Sequence, residues 1–272
     1  MSEQLVLQKL LNTTLASAIV QNGSDQVGGY VSAASAVAVL RTPAEVLAAY
    51  GVDGAAEFVD VVRFEQPRLA TFASPTTEER PWPTFPSGFL RGESLAQVWS
   101  MSRTRYSYGA EYWRIRYDGE QKRLSRYEGA ARGWVGAQRW RPPSPIVGTL
   151  ARWRGGEFFA DVVAESVMLT SLSDQGLDGF QLVHPRVWSA TVPLAECEVF
   201  ERVFTAELDG VPVRLLHNAG GRAEVLLLID DPAAAQRVGA GLVDSGVYEL
   251  EVAASRLANV QGVENQLVIP GD

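Results

Sequence analysis

Two stretches of this 272-residue chain repeat one another, and that repeat restricts the fold more than any other feature. Leu182-Val183-His184-Pro185-Arg186-Val187-Trp188 matches Leu242-Val243-Asp244-Ser245-Gly246-Val247-Tyr248, 60 residues further on. The match runs through Val192 and Val252 into Pro193-Leu194-Ala195-Glu196 and Ala253-Ala254-Ser255-Arg256. Upstream, Gly155 and Phe158 correspond to Gly210 and Val213 at a spacing of 55. The five extra residues fall where the second copy inserts Asp231 to Val238, a short helix with Asp231 as N-cap and Pro232 at its first position. Each copy reads as strand, hairpin turn, strand, helix or loop, then a strand ending in a turn; Asn218-Ala219-Gly220-Gly221 is the hairpin turn of the second. Two copies are too few for a solenoid, which needs about three or more repeats to bury its faces. The expectation is a pair of small sheets sharing a core.

Ahead of the repeat, Gln4 to Val20 carries Leu7, Leu11, Leu15 and Ala18 at helical spacing. Thr42-Pro43-Ala44-Glu45 opens a second helix with a capping box. Phe58 to Phe64 reads as a strand. Glu111 to Tyr117 alternates, with Trp113, Ile115 and Tyr117 on one face and Tyr112, Arg114 and Arg116 on the other. Asp118-Gly119 turns it back into a strand over Lys122 to Tyr127, and a third strand is expected over Gly133 to Trp140. Proline clusters at 74–87 and 142–145 suggest boundaries. The expected class is α+β: N-terminal helices, then mostly antiparallel β with a duplicated β-rich module at the C-terminus. The expected segments are 1–75, a basic aromatic β region at 76–148, and the duplicated module at 149–272, with copies at about 151–197 and 206–259.

Charge is unevenly spread. The net value is −8, but Arg91 to Arg154 holds 13 basic and 5 acidic residues, leaving −16 on the remainder. Two readings follow: the basic segment packs against the acidic remainder, or it forms a cationic face for a negative partner. Only Lys9 and Lys122 are lysines. The N-terminus has no basic signal region, no run is long enough to span a bilayer, and the single Cys197 forbids an internal disulfide. A cytoplasmic protein without membrane attachment is expected, with Cys197 an inert core thiol.

Catalytic signatures are sparse. His184 and His217 lack nearby Cys or His, which argues against a zinc site. No nucleophile elbow, Walker loop or dinucleotide fingerprint is present, and Gly129 to Gly136 reads as turns. Asp60 with Glu65, and Asp230 with Asp231, are carboxylate pairs that could do acid–base work. No catalytic residue, cofactor or metal is assigned. The distinctive feature is the interleaving of Arg103, Arg105, Tyr106, Tyr112, Arg114, Arg116, Arg126, Trp134, Arg139 and Trp140. Arginine pairs bidentately with carboxylate or phosphate and stacks on rings, and both residue types concentrate at interface hot spots. A protein partner ranks first, a small phosphorylated ligand second and nucleic acid third, since an acidic remainder repels a long phosphate backbone.

The Trp113-Arg114-Ile115-Arg116 hairpin strand, followed by the repeated Val187-Trp188 and Val247-Tyr248 modules, resembles accessory proteins encoded beside secreted toxins in actinobacteria, immunity proteins among them. The resemblance spans Phe85 to Asn259 and contains no diagnostic motif, so no residue's role is carried across. It implies a non-enzymatic cytoplasmic binding protein that neutralises or escorts a protein partner such as a toxin. The alternative is an enzyme acting on a nucleotide- or sugar-like substrate through carboxylates and arginines in a deep pocket.

Overall fold

Strand makes up 52% and helix 14% of the residues that the computed structural model describes, which are 5–52, 54–73, 89–90 and 97–268. All strand pairing is antiparallel, in two sheets. The proline-rich stretch 74–87 lies outside the described residues.

The first sheet holds β1 (Val6–Leu11), β2 (Gln26–Ala33), β3 (Phe58–Glu65), β4 (Phe72–Ala73), β5 (Phe89–Leu90), β6 (Gln97–Arg105), β7 (Glu111–Arg116) and β8 (Gln121–Arg126), in the order β4-β6-β2-β1-β3-β7-β8 with β5 also on β6. Segments 1–75 and 76–148 thus contribute strands to one sheet. Both faces are covered. On one, Leu7, Val31, Val62 and Phe64 pack with α1 (Thr13–Asn22) and with Tyr106 and Trp134. On the other, Val59, Val61 and Ile115 pack with α2 (Ala34–Val37) and α3 (Pro43–Ala49). Thr42 and Glu45 form the reciprocal capping box at the start of α3.

Two local expectations are corrected. Gln4 to Val20 is not one helix: β1 occupies Val6–Leu11, and Asn12 caps α1 by accepting from the Leu15 amide at 2.9 Å. Gly133 to Trp140 is not a strand. It contributes one isolated bridge, Tyr127 with Trp134, between turns where Gly133 and Gly136 have positive φ.

The second sheet is built on β14 (Glu198–Leu208). Along one edge its first residues pair with β9 (Thr149–Trp153) and its last with β15 (Val211–Ala219), while its other edge carries β19 (Leu257–Gln266). Two wings extend from that shared strand. One runs from β9 through β10 (Gly156–Val163), β11 (Ser166–Leu172) and β13 (Val187–Pro193) to β12 (Gln181–His184). The other runs from β15 through β16 (Arg222–Leu227) and β18 (Val247–Ala253) to β17 (Gly241–Asp244), with α4 (Pro232–Val238) packed on it. The outer hairpins of the two wings share a pairing pattern. β12–β13 pairs Leu182 with Trp188 and, after a bulge, His184 with Val187; β17–β18 pairs Leu242 with Tyr248 and, after a bulge, Asp244 with Val247. Arg154-Gly155 and Asp209-Gly210 are two-residue turns with positive φ at both positions, the geometry that matches strand twist in a tight hairpin.

Candidate functional site

The ten residues expected to form a cationic aromatic face do not share one. Arg103, Arg105, Tyr106, Tyr112 and Trp134 are buried. Tyr106 stands edge-on to Phe64 and Trp134, each with centroids 5.2 Å apart, and the Trp134 indole donates to the Ser24 carbonyl at 2.8 Å. These rings are core. The β7 alternation is real but points Tyr112 and Arg114 at Asp60 on the neighbouring strand. Arg114 forks that carboxylate through Nε and Nη2 at 2.8 and 2.9 Å, the Tyr112 hydroxyl adds a third donor at 2.8 Å, and the guanidinium covers the Phe58 ring at 3.7 Å. Asp60 is therefore fully engaged and not free for acid–base work, and Asp231 spends its carboxylate on the Ala233 and Ala234 amides.

Where the inward cations go explains the charge asymmetry. The face of the first sheet that carries Leu7 and Leu11 also carries Lys9, and past a bulge in β6, where Met101 pairs with Gly29 but Thr104 with Val27, Arg103 and Arg105 reach toward the second sheet. Each meets an acid of the second sheet: Lys9 bonds Asp244, Arg103 bonds Glu249, and Arg105 lies 3.8 Å from Asp161. Arg105 also donates to the Thr149 and Ala160 carbonyls at 2.7 and 2.8 Å. Tyr30 bonds Asp230 at 3.2 Å, and the Asn12 amide bonds the Val243 carbonyl at 2.8 Å. Burial pulls the Lys9 ammonium below its ordinary range against the opposing Asp244, and burial pushes the Glu249 carboxyl up against Arg103. For Arg105 the carboxylates of Asp161, Asp25 and Glu201 outweigh burial and hold it above its usual value. The basic segment is thus, in part, the ionic layer that docks the two sheets.

A cleft of about 270 Å³ opens in that layer between β2, β4 and β6 on one side and β15, β16 and Leu228-Ile229-Asp230 on the other. Arg103 and Arg214 line it. Arg214 is buried and donates through Nη2 to Glu201 at 3.1 Å. The Lys9, Asp244, Glu249 and Arg214 roles were missed in the sequence. One signal was available: Lys9 interrupts the apolar run Val6 to Leu11 in a chain almost without lysine, the mark of a buried, paired charge.

Of the segment's other described cations, Arg152 is half-buried and paired with Glu198 and Glu264, and the rest face solvent. Arg116 is shared between Asp118 and Glu120, and Arg123 pairs with Glu111. Lys122, Arg126, Arg132, Arg139 and Arg141 are exposed, and none has a carboxylate within 4.0 Å among the described residues. They lie on β8, the edge strand of the first sheet, and on the loop that follows it. Between Lys122 and Arg141 the only acid is Glu128. Arg126 stacks on Tyr108 at 5.7 Å, and Trp140, half-buried, tilts against His184 at 5.9 Å.

Among the described residues no cluster of three or more His, Cys, Asp or Glu could hold a metal ion, and no helix is long and apolar enough to cross a membrane. No protein-family model matches the chain, and neither a curated protein nor a solved structure matches it.

Proposed function

We propose that this is a non-enzymatic cytoplasmic binding protein that neutralises or escorts a protein partner, and that it grips an acidic surface of that partner with β8 and the loop to Arg141. The observation that carries this reading is the clustering on β8 and the loop after it of five exposed cations, Lys122, Arg126, Arg132, Arg139 and Arg141, none with a carboxylate within 4.0 Å among the described residues, in a protein of net charge −8. Cations on an edge strand also guard it against pairing with a neighbouring sheet. Lys122 and Arg126 suffice for that, and three of the five lie beyond the strand. Arginine beside exposed Tyr117 and Val135 is the composition of an interface core with a charged rim. Complementary charge of this kind accelerates encounter and makes it salt-dependent.

The test is capture from a lysate of the source organism at low and high salt, comparing wild type with Lys122→Glu/Arg126→Glu/Arg139→Glu. One stoichiometric protein, released by salt and lost in the triple variant at unchanged melting temperature, is the expected result. Capture that survives the triple reversal, or no capture by wild type, overturns the reading.

We further infer that the 149–266 sheet is a duplicated module whose copies share β14. The matching bulges at His184 and Asp244 and the matching turns at Gly155 and Gly210 support this. The second copy replaces His184 by Asp244, so it alone offers Lys9 an acid at this position.

A further inference from the structure

A sheet edge is a template for another strand, and most of the edges here are guarded. β8 carries Lys122, Arg123 and Arg126. β12 and β17 have four residues each and a bulge, and β4 and β5 have two residues each. β19 differs from all of these. One of its edges pairs with β14 and, among the described residues, no strand pairs with the other. A bulge, with Asn259 at φ +52°, sets the start of the strand apart. Gln261 to Gln266 then runs in unbroken register with Thr205 to Phe200. Every residue of that stretch is exposed, none is proline, and Glu264 is its one charge. Val263 is 55% exposed. A flat, nearly uncharged edge of this kind is an incomplete sheet.

The backbone fixes how the edge can be completed. Leu267 donates its N–H to the Val199 carbonyl at 2.8 Å. By alternation Asn265, Val263 and Gln261 turn their backbone groups to β14, and Gln266, Glu264 and Gly262 turn theirs outward. We propose that β19 pairs antiparallel with β19 of a second copy of this chain, about a two-fold axis through Val263. In that register Glu264 of one copy and Gly262 of the other exchange main-chain hydrogen bonds, Val263 packs on its own counterpart, and Gln261 meets Asn265. Gly262 is bare because Phe204 lies over it, where a Cβ would come within 2.8 Å of the ring, and its bareness leaves room for the opposing Glu264. An axis through Glu264 would instead set like charges directly opposite one another, which is destabilising. The charges beside the edge permit the approach. Glu157, Glu198 and Glu264 are each paired with Arg152 or Arg202, so two copies of net charge −8 meet along a strip whose carboxylates are already matched. A two-fold pair uses up both edges and closes at the dimer. β8 and its cations take no part in it.

Sedimentation velocity of the full chain tests this from about 1 to 200 μM, since a single strand pair is a small interface and a Kd in the micromolar range is expected. Wild type is expected to pass from monomer to dimer and no further. Val263→Lys sets two ammonium groups on the axis and is expected to weaken association by about tenfold or more at unchanged melting temperature. Leu182→Lys, at a comparably exposed site on the first wing, leaves association unchanged. Register is read by cross-linking. Residues such as Val263 that face across the new pair lie about 4.5 Å apart at Cα, within disulfide reach. Mild oxidation is therefore expected to link Val263→Cys into dimers, and to link Gln261→Cys only when it is mixed with Asn265→Cys. Cys197 is buried, and wild type serves as the blank. A wild type that stays monomeric throughout overturns the proposal and leaves the edge to a strand from another protein. Dimers that survive Val263→Lys, or that fail to cross-link at Val263→Cys, overturn it as well, because they place the contact elsewhere.

Discussion

Asp25 follows α1 with 4% of its surface exposed, and the Tyr127 hydroxyl donates to it at 3.5 Å. Burial raises its carboxyl to about 6, with Arg105 and Arg141 opposing the shift. An unfolded aspartate titrates near 3.9, so between about pH 4 and 6 the folded protein holds the extra proton. The stability this contributes is complete below pH 4 and lost as pH rises through 6, by about 3 kcal/mol. Asp25→Asn keeps an acceptor for Tyr127 and cannot ionise. Urea unfolding from pH 4 to 8 is expected to show the variant losing less stability than wild type across that window, and being at least as stable above it. Parallel profiles would show that Asp25 reaches solvent. Arg114 makes a related point at the same scale: its bidentate hold on Asp60 makes it a structural residue, although its place in an alternating basic strand suggests display.

Strands and turns differ in how they could be read. The β7–β8 hairpin was legible because Asp118-Gly119 supplies a turn signal and Gly119 does take a φ of +84°. The capping box of α3 was legible for the same reason, as local chemistry with one geometric solution. β1 was not, because Leu7, Gln8 and Lys9 are all buried: a strand covered on both faces shows no alternation, and its leucines fall by chance at helical spacing. The candidate site was legible only as composition, since which arginines turn inward depends on sheet pairing far along the chain. Glycines show how tightly those sheets meet. Gly29 has φ +74°, and a Cβ there would lie 2.7 Å from the Val247 side chain of the opposing sheet; Gly210 has φ +80° with open space around it. Gly210→Ala is expected to cost about 1 kcal/mol from the backbone alone, and Gly29→Ala about 2–4 kcal/mol because overpacking adds to it. Equal losses on denaturant unfolding would mean that the sheets can slide apart at β2.

Ionic contacts join the two sheets beside their apolar ones. Lys9 and Asp244, with side chains 4% and 14% exposed, are the most buried link from the first sheet to the second wing. Breaking a buried pair strands a charge, so Lys9→Met is expected to cost about 3–5 kcal/mol, whereas Lys9→Met/Asp244→Leu is expected to recover most of that loss. A double-mutant cycle by urea denaturation measures it, and additive losses would show that the pair is solvated. The separation of these partners along the chain, 235 residues, also sets the order of events during synthesis. At about 5–20 residues per second, a ribosome that has just made Lys9 needs roughly 10–50 s to reach Asp244. Arg105 meets Asp161 as soon as the first wing is made, but Lys9 and Arg103 have no counterpart for that whole interval, so this side of the first sheet stays open to chaperones and proteases until the second wing emerges, and a ribosome that stalls before it releases a protein that cannot close there.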